Sequence, residues 1–245
     1  CDSDGDPVTV SDKVLVYTEG FVRLLDAAAK DEASAVVWEG LMTLPLQTVN
    51  IVGAAGAQQA AQIRMQQLRN VQMVGTASAD GKVLAVTPTS NSRAVGFDVR
   101  TGKQVWAFEM EGTAQRGAIA CAGDGVVIFS DQVGRVECVD AATGTLRWKA
   151  AMQARPLAIG AGVALLMSPT QRQLYAVDVQ SGKLMRKWDS RSGIQYDMNS
   201  DGLLAVMTEG MLEVVEPGFM NQPLWKKQFE AADVQIGRAS CRERV

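Results

Sequence analysis

Residues 96–106 read Gly-Phe-Asp-Val-Arg-Thr-Gly-Lys-Gln-Val-Trp, and the same pattern returns further along the chain. Residues 138–148 read Cys-Val-Asp-Ala-Ala-Thr-Gly-Thr-Leu-Arg-Trp, with the Asp, Thr, Gly and Trp in the same places. A weaker copy, Ala-Val-Asp-Val-Gln-Ser-Gly-Lys, occupies residues 176–183 and is followed by Trp188. A repeat of about forty residues that contains short strands and turn residues is typical of a radially repeated all-β fold.

The clearest copy of the whole repeat occupies residues 115–152, where turn residues separate four short segments of strand-forming residues. The sequence predicts strands over residues 117–122, 126–130, 135–140 and 145–149. The second segment is apolar almost throughout, which predicts a strand that is buried on both faces. Four antiparallel strands in about forty residues form one blade of a β-propeller.

Four more segments align with this repeat, at residues 74–110, 155–189, 193–229 and, in a degenerate form, 7–42. Their equivalents of the buried second strand include residues 82–86, 163–167 and 203–207. The tryptophans that end four of the copies are spaced 42, 40 and 37 residues apart; they are Trp106, Trp148, Trp188 and Trp225. The sequence therefore predicts an all-β fold, a β-propeller with about five four-stranded antiparallel blades of an incomplete seven- or eight-bladed ring.

One insertion interrupts the period, because Trp38 and Trp106 are 68 residues apart. The surplus falls at residues 44–70, and the part from 57 to 69 consists mainly of good helix formers. We expect a short helix there, on one rim of the repeat array.

Composition limits the partners of the protein. The chain has 245 residues, of which 47% are hydrophobic and 21% charged, so it can bury a large core. Its formal net charge of −3 gives no reason to expect a nucleic acid partner. The longest nearly apolar stretch, residues 158–167, is about half as long as a membrane-spanning helix, so no transmembrane segment is expected.

The two ends of the sequence are set apart from the repeats. Residues 1–6 are either a polar tether behind a lipid-bearing Cys1, as in a mature bacterial lipoprotein, or the edge of a fragment, and we favour the fragment edge. Residues 236–245 resemble the translation of a sequencing adapter, and we exclude them from the fold. The blades are thus expected within residues 7–235.

The remaining cysteines do not form a disulfide in this arrangement. Cys121 is expected on the first strand of a blade and Cys138 on the third, so their backbones lie about 9.5 Å apart, beyond disulfide reach. The chain contains no His and no Cys-x-x-Cys pair, which argues against a zinc site or a His-based catalytic triad.

The Asp-x-x-Thr-Gly-x-x-x-Trp element resembles the tryptophan-docking repeat of the pyrroloquinoline-quinone-like, or quinoprotein-type, β-propellers. The matching residues are Asp98, Thr101, Gly102, Trp106, Asp140, Thr143, Gly144 and Trp148, with a partial match at Asp178, Ser181, Gly182 and Trp188. The resemblance implies that the tryptophans pack between adjacent blades and that the Asp and Thr close the turn. We expect these residues to hold the blades together and to do no chemistry, because an indole offers a large apolar face and one N–H donor.

The resemblance also raises an enzymatic alternative, a quinoprotein dehydrogenase. That family brings a calcium ion, a catalytic Asp and often a disulfide between neighbouring cysteines, whereas this chain has no adjacent cysteine pair. We therefore expect no catalytic residue, no metal ligand and no cofactor in this segment.

The favoured hypothesis is a non-enzymatic binding or scaffold propeller with a protein partner, in the periplasm or cell envelope of a bacterium. It resembles the propeller lipoprotein of outer-membrane β-barrel assembly in its type of repeat. A fragment of a quinoprotein dehydrogenase and a sensor propeller of a larger multidomain protein are the alternatives.

Overall fold

A computed structural model describes residues 8–10, 13–18, 21–30, 35–41, 73–78, 81–88, 93–110, 119–130, 135–168, 170–199 and 201–229. Within these ranges the chain forms twenty strands and one short 3-10 helix. The strands make five four-stranded sheets, and in each sheet the strands that are consecutive in sequence pair antiparallel. Each sheet is one blade of a β-propeller, and the fold predicted from the sequence is confirmed.

The blades follow one another along the chain, and we number them 1 to 5. Blade 1 contains β1 (Val8–Val10), β2 (Lys13–Thr18), β3 (Phe21–Asp26) and β4 (Val36–Leu41). Blade 2 contains β5 (Met73–Ala77), β6 (Val83–Pro88), β7 (Arg93–Asp98) and β8 (Gln104–Glu109). Blade 3 contains β9 (Ile119–Gly123), β10 (Val126–Ser130), β11 (Arg135–Asp140) and β12 (Leu146–Ala151).

Blade 4 contains β13 (Arg155–Gly160), β14 (Val163–Ser168), β15 (Gln173–Asp178) and β16 (Leu184–Asp189). Blade 5 contains β17 (Ile194–Met198), β18 (Leu204–Thr208), β19 (Met211–Val215), the 3-10 helix Pro217–Phe219, and β20 (Trp225–Gln228). The predicted second strands are thus β6, β10, β14 and β18, each in its own sheet and each within two residues of its predicted bounds.

The core of the protein lies in the seams between blades. Four clusters of buried apolar side chains are present in the described residues, and each joins one blade to the next. Successive residues of β10 serve different seams, because Val127 and Phe129 pack toward blade 2 whereas Val126 and Ile128 pack toward blade 4. The second strands are apolar throughout because alternate side chains of a strand point to opposite faces, and both faces of an inner blade are covered.

The two cysteines of blade 3 lie where the sequence places them. Ile128 of β10 pairs with Cys121 of β9 on one side and with Cys138 of β11 on the other. One strand therefore separates the two residues, and Cys138 is a free, buried thiol.

Several expectations fall outside the described residues. The helix expected at residues 44–70 lies outside them, as do the polar tether at 1–6 and the tail at 236–245. The described part of the chain contains no helix that is long and apolar enough to cross a membrane.

Candidate functional site

The repeated turn is closed by its Asp side chain. In blade 2, Asp98 Oδ1 accepts hydrogen bonds from the backbone N–H of Thr101 at 2.7 Å and from its hydroxyl at 2.8 Å. Asp140 accepts the same two bonds from Thr143 at 2.9 and 3.0 Å, and Asp178 accepts them from Ser181 at 2.8 and 2.6 Å. Ser181 therefore replaces the threonine of blades 2 and 3 without loss of either bond.

These bonds stabilise the ionised carboxylates. The hydrogen bonds from Thr101 lower the pKa of Asp98, and those from Ser181 lower the pKa of Asp178. For Asp140 the largest cause of its lowered pKa is the bond from Arg147, whose Nη2 lies 2.6 Å from Oδ2. In each of the three aspartates Oδ1 thus accepts bonds from its own turn, and in Asp140 Oδ2 also accepts a bond from Arg147.

Each turn receives the tryptophan of the preceding blade. The indole N–H donates to the carbonyl oxygen of the residue that follows the turn Asp, and the pairs are Trp38 to Val99 at 2.5 Å, Trp106 to Ala141 at 2.9 Å and Trp148 to Val179 at 2.9 Å. All three indoles are buried, with at most 8% of the side-chain surface exposed. The bond satisfies the one donor of a large apolar side chain at the place where two sheets meet.

The glycine of the turn is required by the same contact. A Cβ added to Gly144 would lie 2.7 Å from Cδ2 of Trp106, and one added to Gly182 would lie 2.6 Å from Cδ2 of Trp148. Both glycines also have a positive φ of 68°, which L-residues rarely adopt. Only glycine therefore allows the indole to lie flat against the turn of the next blade.

The seam between blades 4 and 5 is built differently. In blade 3, Trp148 lies opposite Cys138, the residue two before the turn Asp. In blade 4 the equivalent residue is Ala176, and Arg186 lies opposite it in place of a tryptophan. Trp188 lies two residues further along the strand, opposite Leu174, and remains buried because a shift of two keeps its side chain on the same face. Arg186 Nη1, in the place of the indole, donates to the carbonyl oxygen of Met220 in the blade 5 turn at 2.6 Å.

Glu213 of β19 completes this seam. Its Oε2 accepts bonds from Arg186 and, at 3.1 Å, from the indole N–H of Trp188, while its Oε1 pairs with Lys226 Nζ at 2.5 Å. The Arg186 guanidinium also lies over the Trp188 ring, 4.9 Å from the centroid. Burial alone would raise the pKa of Glu213, but the bonds from Lys226 and Trp188 and the charge of Arg186 lower it. The seam is thus held by a buried, ionised carboxylate.

Blade 5 also has the most exposed large apolar side chains. Trp225 lies opposite Val214, the same place in the strand pairing as Trp148, yet 46% of its surface is exposed. Phe219 and Leu224, from the altered turn of this blade, are 63% and 57% exposed. The face that buries a tryptophan in the other four blades is therefore uncovered here within the described residues.

The described residues bring together few groups that could do chemistry. No three His, Cys, Asp or Glu side chains among them are close enough to hold a metal ion. Burial raises the pKa of the Cys138 thiol to about 12, so it is a poor nucleophile. The sequence analysis identified the turns and the tryptophans but did not identify Arg186 or Glu213. Glu213 is a charged residue in the otherwise apolar strand Met211–Val215, and this contrast was the signal that could have pointed to it.

Four-stranded blades, Asp-closed turns and tryptophans docked on the next blade define a β-propeller built from pyrroloquinoline-quinone-like repeats. The family model described as outer membrane protein assembly factor BamB matches residues 90–212, which is half of the chain. The chain belongs to this family. Among curated proteins, no sequence matches the chain significantly.

Three solved structures share the fold. BamB from Moraxella catarrhalis is 15% identical with a TM-score of 0.56, over 93% of this chain and 62% of its own. The computationally designed protein Ika8 is 10% identical with a TM-score of 0.59, over 90% of this chain and 60% of its own. The Cps50 (Swd1) propeller domain of Myceliophteria thermophila is 15% identical with a TM-score of 0.51, over 80% of this chain and 63% of its own. The chain thus spans 60–63% of the length of these propellers.

Proposed function

We propose that the chain is a non-enzymatic binding module of the bacterial cell envelope that takes part in outer membrane protein assembly. The observation that carries the proposal is the match to the BamB family model over residues 90–212. The same match supports a protein partner and a periplasmic location, which is where such assembly takes place.

The geometry of the repeat motif supports a structural role for its residues. The motif carboxylates accept bonds from their own turns, and the indole donors of Trp106 and Trp148 are used across the seams. An indole whose one donor is used inside the fold is not available to bind a substrate, and the bonds to each turn aspartate fix its side chain in the turn. The surface of the blades is then what the protein offers to a partner.

The outer strands supply apolar contact area on that surface. Val105, Leu146 and Leu184 lie near the start of the fourth strand in three consecutive blades, and each is at least 40% exposed. Leu146 and Leu184 occupy the same place in their blades, opposite Val139 and Val177, so a partner that spans blades 3 and 4 can contact both.

The proposal is tested in a bacterium whose own propeller of this family has been deleted. The chain is exported to the periplasm, and the amount of folded outer-membrane β-barrel protein is measured by its heat-modifiable gel mobility. We expect recovery of the barrel proteins with the unaltered chain and loss of recovery with Trp148→Ala, which removes an indole buried between blades. Failure of an exported, folded chain to restore any barrel protein would refute the assembly role.

A further inference from the structure

We propose that the seam between blades 4 and 5 is an ionic joint that opens in acid before the other three described seams. The inference rests on Arg186, Trp188, Glu213 and Lys226, and is independent of the partner that the protein binds. It concerns which part of the propeller can separate from the rest.

The first step of the argument is a difference between seams. Across the three earlier seams the indole N–H donates to a backbone carbonyl, a contact between groups that do not titrate. At the fourth seam the indole of Trp188 donates instead to the Glu213 carboxylate, and the turn carbonyl of Met220 is taken by the Arg186 guanidinium. The docking of blade 5 therefore depends on charged groups.

The second step concerns the charges that surround Glu213. Arg186 faces it from β16 of blade 4, and Lys226 faces it from β20 of its own blade. On its other neighbouring strand, β18, its pairing partner is the apolar Val206. The side chains of Arg186 and Glu213 are only 16% and 10% exposed, so water can replace a lost partner only in part.

The third step is the effect of a proton. Protonation of Glu213 would leave the partly buried Arg186 guanidinium without its counter-charge, and removing one partner of a buried ion pair is strongly destabilising. Because the bonds of the folded state lower the pKa of Glu213, this stabilisation is present above the ordinary pKa of 4.5. It is lost as the pH falls through the lower pKa of the folded state.

A carboxylate also bridges blades 3 and 4, but this one is exposed. The backbone N–H of Gly162 in blade 4 donates to Asp124 Oδ2 of blade 3 at 2.6 Å. Asp124 is exposed, so its protonation leaves no buried charge behind. We therefore expect the fourth seam, where the Arg186–Glu213 ion pair joins two blades, to open first as the pH falls.

Hydrogen exchange read by mass spectrometry tests the joint, because it reports the opening of each blade separately. As the pH is lowered from about 5 to about 2.5, through and below the ordinary glutamate pKa, we expect peptides of β17–β20 to lose protection before peptides of β5–β12. At pH 7, Glu213→Gln mimics the protonated side chain, and we expect it to lower the protection of blade 5 about tenfold or more without a matching loss in blades 2 and 3.

Two further variants keep the test decisive. Glu137→Gln is the matched control, since Glu137 is buried at the equivalent third-strand position of blade 3, where the indole of the preceding blade, Trp106, donates to a backbone carbonyl. This variant should leave the protection of blade 5 unchanged. The double variant Arg186→Met, Glu213→Leu removes both charges together and should restore protection at pH 7 and abolish the acid effect. Equal loss of protection in all blades at low pH, or full protection of blade 5 in Glu213→Gln, would overturn the proposal.

Discussion

The indole nitrogen of Trp148 lies 2.9 Å from the carbonyl oxygen of Val179, and the two residues belong to different blades. The ring also faces Gly182 of the same turn, so one side chain supplies both a hydrogen bond and an apolar contact to blade 4. The contact repeats a relationship found at the two preceding seams. It explains why Trp, Gly and Asp recur together in the sequence.

Replacement of a docked tryptophan should lower the stability of the protein. We expect Trp148→Ala to reduce the free energy of unfolding by about 3–5 kcal/mol, because it leaves a cavity in a buried seam. Trp225→Ala is the control, since Trp225 occupies the matching place in blade 5 but is 46% exposed, and it should cost clearly less. Chemical denaturation followed by circular dichroism measures both changes; equal losses would show that the indole of Trp148 does not hold the seam.

The contact between the turn glycine and the indole can be tested separately from the effect of the left-handed backbone. Gly144→Ala must place a Cβ against the ring of Trp106, whereas Gly125→Ala has a similar positive φ of 73° and no heavy atom within 4 Å of the new Cβ. We expect the strain of the left-handed backbone alone to cost about 1–2 kcal/mol, and Gly144→Ala to cost more than this in the same denaturation experiment. If the two variants lose the same stability, the contact between the glycine and the indole is unimportant.

The turn carboxylates should make the protein sensitive to acid. The hydrogen bonds from Ser181 lower the pKa of Asp178 below its ordinary value of 3.8. The stabilisation is therefore complete above that value and is lost as the pH falls through the lower pKa of the folded state. Asp178→Asn keeps one acceptor oxygen without the charge, so we expect a weaker decline of the free energy of unfolding between about pH 4 and pH 2. An unchanged slope would mean that Asp178 does not contribute to it.

Binding of pyrroloquinoline quinone separates the two principal hypotheses. We expect no saturable change in the quinone absorbance when the chain is titrated with calcium present, and no oxidation of alcohols. The reason is that the motif carboxylates of the described blades are engaged in their own turns and form no group that could cage a metal ion. A saturable shift at micromolar concentration would favour the dehydrogenase alternative.

The sequence by itself determined the repeat, the order of the strands and the burial of the second strand of a blade. These features are local, because strand alternation, a turn glycine and an apolar run act over a few residues. Residues 126–130 were predicted as a strand buried on both faces, and β10 has these bounds and this burial. The two-residue displacement of Trp188 was also visible as a change of spacing that preserves the face of the strand.

Only the tertiary structure decided how the blades are joined. In the fourth seam Arg186 takes the place of the indole, and Trp188 donates to the buried Glu213. This arrangement depends on which side chain reaches the turn of the next blade, and no local sequence pattern encodes a contact between two blades. Trp225 has the same place in its strand pairing as Trp148 but is exposed. Burial of an indole depends on the surface that covers it, and that surface belongs to a different part of the chain.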